Sequence, residues 1–279
     1  MKNMKKIVAL MLVLTMVFAL AACGSKSEPK DRLAKIKEQG YIEMVTEPYF
    51  APFEFIDPSK EGDAQYVGMD IELGKKIAEK IGVELKIVPL EFSAVLAGVV
   101  DGKYDMAISA IAYSPSREEA MLLSDGYKLT SDEGYGFLTR TEDADKYTCI
   151  EDLANAVVVT QSGSVQEGIY NDQVKSCKEF KLVSAMTDGY LAVAENKADV
   201  CIVSKASARL YAEANGDLTV SEFTFDTDPR LSSTVVGVPK GGESLMAVVN
   251  EVIAEQTANG NIDTWYDEYA ELAATLGIS

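Results

Sequence analysis

From residue 31 onward, segments of helical period alternate with short apolar runs, and that alternation confines the chain to α/β architectures with largely parallel sheets. Residues 31–39 read as a helix closed by Gly40, and 41–46 as the first strand. The stretch 69–81 is amphipathic, with Ile77 and Ile81 on one face and Gly82 as its stop. A strand at 83–88, a helix at 92–100 and a third strand at 106–111 complete a first set. Residues 127–139 then run extended without a helix of their own. A second set follows, with strands at 156–160, 180–183 and 200–203 and helices at 165–171 and 188–195. Another extended run, 223–238, leads to closing helices at 243–259 and 262–275. Two such crossings imply two lobes, the first assembled from both ends of the chain: 38–130 with 230–279, and 131–229 as the second. A short echo fits lobes of similar plan, because Gly102-Lys-Tyr-Asp-Met-Ala-Ile108 and Asn196-Lys-Ala-Asp-Val-Cys-Ile202 share Lys-x-Asp-x-x-Ile after a helix.

The third strand runs into Ser114-Pro115, which reads as N-cap and first helical residue: serine accepts a bond from a free amide, and proline lacks the donor that would be orphaned there. Arg117 then falls in the first helical turn, where a cation opposes the helix dipole unless an anion lies nearby. Two readings stand. Either Glu118 and Glu119 neutralise the dipole and Arg117 points into solvent, or free amides and a guanidinium fork form a carboxylate receptor.

Residues 1–22 carry Lys2, Lys5 and Lys6 ahead of an apolar run from 7 to 22, the charge and length of a secretory signal peptide. Leu20-Ala21-Ala22-Cys23 resembles the lipobox of bacterial lipoproteins, which implies a lipidated Cys23, followed by a tether over 23–37 that reaches the first helix. The protein is therefore expected to work outside the cytoplasm, held at the membrane. Net charge is −18, and −21 once residues 1–22 are removed, so nucleic acid is not an expected partner. The remaining chain of 257 residues is long enough for two sizeable cores. No histidine occurs, which removes histidine-dependent triads and the commonest zinc ligand; no metal and no cofactor is expected. Cys201 lies in an apolar strand and reads as core, while Cys149 and Cys177 are left open, as free thiols or as a disulfide.

In open α/β sheets ligands bind beyond the carboxyl ends of the strands. That rule selects residues 47–50, 90–92, 109–117, 161–165, 184–188 and Ser204. Within them Phe50 and Phe92 offer aromatic walls, Arg117 and the helix start at Ser164 offer anion donors, and Glu47 and Asp188 offer negative charge. Ser109, Ala110, Ala112, Gln161 and Val165 complete the candidate lining. Each aromatic also has an ordinary reading as core.

At this point the chain resembles the extracellular solute-binding proteins of family 3, the polar amino acid receptors of ABC importers. The marks, from about Gly40 to the C-terminus, are Tyr49-Phe-Ala-Pro-Phe-Glu54, Val67-Gly-Met-Asp-Ile-Glu-Leu73, Gly102-Lys-Tyr-Asp105, Ser114-Pro-Ser-Arg117, Gln161-Ser-Gly-Ser164 and Lys197-Ala-Asp199. The resemblance implies the two-lobe periplasmic binding protein type II fold with two hinge strands, a monomer closing on an amino acid and docking on membrane permease subunits. It implies that Arg117 clamps the ligand α-carboxylate with Ser164 and the amide of Val165, that Phe50 and Phe92 sandwich the side chain, and that Glu47 reads its tip. Two positions depart from the family: Ala112 replaces a hydroxyl residue, and Ser204 stands where an aspartate pairs with the ligand amino group. Asp188 and Glu47 are left as the candidates for that charge. Rival functions on the same fold are a ligand-presenting sensor lipoprotein and a cyclohexadienyl dehydratase-like enzyme using cleft acids; an enzyme is not expected.

Overall fold

The computed structural model describes residues 31–129 and 133–278, so the leader 1–22, Cys23 and the tether up to residue 30 lie outside the described residues. Helix α1 (Arg32–Gln39) turns its one buried residue, Ile36, inward and stops at Gly40, whose φ of 79° continues the chain without a Cβ penalty. Strand β1 (Tyr41–Thr46) follows, then a small meander of β2 (Tyr49–Phe50), β3 (Glu54–Ile56) and β4 (Tyr66–Val67). Helix α2 (Met69–Ile81) buries Ile71, Leu73, Ile77 and Ala78 and ends on left-handed Gly82. Next come β5 (Glu84–Pro89), α3 (Phe92–Val100) and β6 (Met106–Ala107). The third strand is thus shorter than the apolar run 106–111. After Ala107 the chain leaves the ladder, and Ala110 takes φ 44°, so Ile108 and Ile111 are buried by a loop instead of a strand.

Helix α4 (Pro115–Ala120) and strands β7 (Leu122–Leu123) and β8 (Lys128–Leu129) bring the chain to the first crossing. The second lobe opens with β9 (Tyr135–Arg140), β10 (Val157–Gln161), α5 (Val165–Gln173) and β11 (Glu179–Val183). It continues with α6 (Met186–Ala194), β12 (Val200–Ser204), α7 (Lys205–Asn215) and β13 (Leu218–Val220). The return crossing carries β14 (Ser233–Thr234) and β15 (Gly237–Val238) to α8 (Glu243–Ala258) and α9 (Asn261–Leu276).

Two five-stranded sheets result, ordered β5-β1-β6-β15-β7 and β11-β10-β12-β9-β13. In each, three strands are parallel with the first in the middle, and an antiparallel strand beside the third comes from a crossing segment. The two crossings themselves pair, β8 antiparallel to β14. The sequence echo has a physical cause in this plan. Asp105 accepts the backbone N–H of Glu43 (3.0 Å) and a bond from Arg32 (2.9 Å), while Asp199 accepts the N–H of Val157 (2.8 Å) and a bond from Arg140 (3.2 Å). The same carboxylate therefore ties the entry of the third strand to the first strand in both lobes. The first core gathers Ile42, Met44, Ile71, Leu73, Ile77, Val249 and Ile253, each of which stabilises by about 1.5–3 kcal/mol when fully buried. Cys149, Cys177 and Cys201 are free thiols: no 149–177 bridge forms, the Cys177 sulfur lies 3.0 Å from the Tyr170 hydroxyl, and Cys201 is buried core.

Gly68, the residue before α2, has φ 131°, and a Cβ there would lie 2.2 Å from the Phe53 carbonyl oxygen. Because that obstacle is backbone, Gly68→Ala is expected to destabilise by about 3 kcal/mol or more, combining backbone strain with overpacking. Gly82→Ala meets no atom within 4 Å and carries only the left-handed penalty of about 1–2 kcal/mol. Urea midpoints for the two variants check this, and equal losses would contradict it.

Candidate ligand-binding cleft

The carboxyl ends of both sheets face one another, and between them lies a cavity of about 40 Å³. Eleven of the twelve candidate residues line it: Glu47, Phe50, Phe92, Ser109, Ala110, Ala112, Arg117, Gln161, Ser164, Val165 and Ser204. Ser114 caps α4 as its position demands, its Oγ accepting the Arg117 N–H at 3.3 Å. The Arg117 side chain is not in solvent. It is 8% exposed, lies over the Phe92 ring at 5.5 Å, and donates to the carbonyls of Ala112 in the first lobe and Gly163 in the second, the latter at 2.8 Å. No carboxylate pairs with it among the described residues, and burial draws its pKa down to about 10.

At the other end, Glu47 follows β1 and is buried, with Gln161 Nε2 donating to its Oε1 across the cleft at 3.1 Å. Burial pushes the Glu47 carboxyl up to about 8, with nearby Asp188 and Glu91 adding repulsion and the Gln161 bond opposing it. Phe50 stacks on Phe53 with ring centroids 5.7 Å apart and packs against apolar residues of both lobes. Ser109 Oγ accepts the Glu47 N–H (2.9 Å) and donates to Glu54 Oε1 (3.3 Å). The Ala110 N–H donates to Asp70 Oδ2 at 2.7 Å, which holds Ala110 in its positive-φ conformation and turns the 109–112 loop toward the cavity. Ser164 caps α5, accepting the Glu167 N–H at 3.2 Å while donating to the Gln161 carbonyl at 2.7 Å.

Asp188 is the residue that the structure does not bring in. It faces a neighbouring open pocket shared with Glu47, Glu91 and Ser184. The cause is helix phase: α6 begins at Met186 and not at 188, so Met186 takes the inward position and Asp188, two residues on, is rotated away. Four further residues line the cavity, namely Glu54, Tyr135, Gln166 and Met186. Glu54 had a sequence signal, a lone acid in the apolar run Phe53-Glu54-Phe55; Gln166 follows the selected helix start directly; Tyr135 is visible only through its pairing with Ser204. No group of three or more acids or cysteines among the described residues is arranged to hold a metal ion.

An arginine at one end and acids at the other suit a zwitterion. The chain is similar to several known proteins. It is 25% identical over 262 residues to the arginine-binding extracellular protein ArtP of Bacillus subtilis, covering 93% of this chain and 96% of that one. It is 23% identical over 202 residues to the cyclohexadienyl dehydratase of Pseudomonas aeruginosa, covering 72% of each. Among solved structures, an amino acid ABC transporter substrate-binding protein of Streptococcus pneumoniae bound to L-arginine is similar at a TM-score of 0.78 and 28% identity, covering 88% of this chain and 99% of that one. The fold is thus the two-lobe, type II periplasmic binding protein fold. The family's sequence model matches residues 42–271, and the chain belongs to the bacterial extracellular solute-binding proteins, family 3.

Proposed function

We propose that this chain is the membrane-anchored receptor of an ABC importer, that it binds an amino acid with a cationic side chain between its lobes, and that L-arginine is the first ligand to try. The observation that carries the reading is Arg117, a buried guanidinium without an acidic partner among the described residues. Burying a charge uncompensated costs several kcal/mol, and a ligand carboxylate supplies the missing charge in bidentate geometry. Glu47, held protonated at the opposite end of the cleft, ionises against a guanidinium or ammonium tip. The arginine-binding relatives support the same class of ligand. In this reading residues 1–22 are cleaved, Cys23 carries the lipid, 23–37 tethers the body, and 38–130 with 230–279 closes as a monomer against 131–229. Delivery to permease subunits is the role, and a cofactor plays no part.

A thermal-shift panel of the twenty amino acids is the test. A ligand that binds only the folded state stabilises by about 2.7 kcal/mol at a hundredfold excess over its dissociation constant. L-Arginine and L-lysine are expected to raise Tm, L-glutamate and L-aspartate to leave it unchanged. Tight glutamate binding would sink the reading, as would catalytic loss of a prephenate-like acid followed by mass spectrometry.

A further inference from the structure

The first lobe holds a second acid against the cleft, deeper than Glu47. Glu54 is 1% exposed, lines the cavity, and its Oε2 receives no donor among the described residues. Its Oε1 takes only a long bond from Ser109, at 3.3 Å. Behind it sits Asp70 on α2, fully buried, which accepts from the Tyr127 hydroxyl (2.9 Å) and the Ala110 amide (2.7 Å) and repels a charge on Glu54. Two buried carboxyls this near each other do not both ionise readily, so one keeps its proton. Asp70 has the better donors and so keeps the charge, pushed up by burial to about 6, while burial first and Asp70 second hold Glu54 well above the carboxylate range. The groups facing Glu54 are Asp70, Tyr127 and Glu47, with Arg117 on the same cavity.

We propose that Glu54 receives the ligand's α-ammonium group. This rests on the reading that the ligand is an amino acid. Ammonium and carboxylate are separated by a single carbon, so their receptors must adjoin, and the 109–112 loop carries both: Ala112 accepts from Arg117, and Ser109 donates to Glu54. The alternatives are less well placed. Ser204 offers a hydroxyl without charge, Asp188 faces the outer pocket, and Glu47 is engaged by Gln161 on the side of Glu91 and Asp188, where the side-chain tip belongs. Binding then exchanges one cation for another. The Glu54 carboxylic acid releases its proton to the buffer and the resulting carboxylate accepts the ammonium N–H bonds, while Asp70 stays ionised.

The test is calorimetry on the full chain with L-arginine and its desamino analogue 5-guanidinopentanoate, in two buffers of different ionisation enthalpy at pH 7. Wild type is expected to prefer L-arginine and to release more protons with it than with the analogue. Glu54→Gln is expected to weaken L-arginine by about thirtyfold or more, leave the analogue nearly unchanged, and abolish the difference in proton release. Asp70→Asn, which keeps Glu54 and removes the neighbouring charge, is expected to retain the preference for L-arginine with fewer protons released. Binding of L-arginine by a folded Glu54→Gln chain with the preference intact overturns the assignment to Glu54 alone. Equal affinity of wild type for both compounds overturns it as well, and failure of wild type to bind any of the twenty amino acids overturns the receptor reading itself.

Discussion

Arg117→Ala is expected to lower the affinity for L-arginine by about thirtyfold or more while the chain stays folded, because removing one partner of a buried charge pair costs about 2–5 kcal/mol of binding. The fold tolerates the change for a reason internal to the structure. The guanidinium is buried beside backbone carbonyls and no acid, so its removal relieves a desolvation penalty of several kcal/mol, against about 1–3 kcal/mol for each of the two carbonyls, of Ala112 and Gly163, that loses its donor. Arg117→Lys is expected to bind poorly too, since one ammonium cannot serve a carboxylate and two carbonyls on opposite lobes in a planar fork. Circular dichroism establishes folding and calorimetry the affinity. Undiminished affinity in the alanine variant would return Arg117 to the role of an incidental charge.

The second large effect is in pH. A cationic side chain needs Glu47 ionised, and the carboxyl sits at about 8. The share of the L-arginine affinity that Glu47 controls therefore rises with pH, about tenfold per unit well below 8 and roughly fiftyfold between pH 6 and pH 8, levelling above. Stability without ligand moves the other way. Glu47 holds its proton more tightly folded than unfolded, so its contribution is most favourable below its unfolded value of 4.5 and is lost progressively as pH rises from there to about 8. Glu47→Gln is expected to lose that share of the affinity slope, to flatten the opposing stability slope, and to bind L-citrulline relatively better than L-arginine. An unchanged slope in both measurements would show that another group titrates.

Most of the frame was legible in the sequence because strands buried on both faces and amphipathic helices leave strong periodic marks, and β1, α2 and α3 fall where those marks put them. What escaped had weak marks. The helix α7 was absent from the reading since its buried face is Lys205, Ser207 and Ala208, a stripe without large apolar residues, and β13 after it is three residues long. The run 106–111 looked like strand throughout because periodicity cannot distinguish an apolar loop, folded under by the bond from Ala110 to Asp70, from a ladder. Within the cleft, residues following strands were found by topology alone. Asp188 was misplaced by a helix phase error of two residues, and Glu54 was seen as part of a motif without a role, since nothing local reveals that the acid of one hairpin meets the acid of a helix sixteen residues on.

The pairing of the two crossings decides how the lobes can move. Thr234 Oγ1 donates to the Lys128 carbonyl at 2.7 Å and accepts the Lys128 N–H at 3.1 Å, and the Tyr127 N–H donates to the Thr234 carbonyl at 3.0 Å. Two separate connectors would let the second lobe swivel as well as swing. Zipped together, they form a single ribbon that bends far more easily than it shears, so closure has one dominant axis. Across the cleft that this ribbon spans, Arg117 meets the carbonyl of Gly163 and Glu47 the amide of Gln161. Thr234, buried and not itself part of the cavity lining, is thus the pin that keeps the two halves of the receptor in alignment.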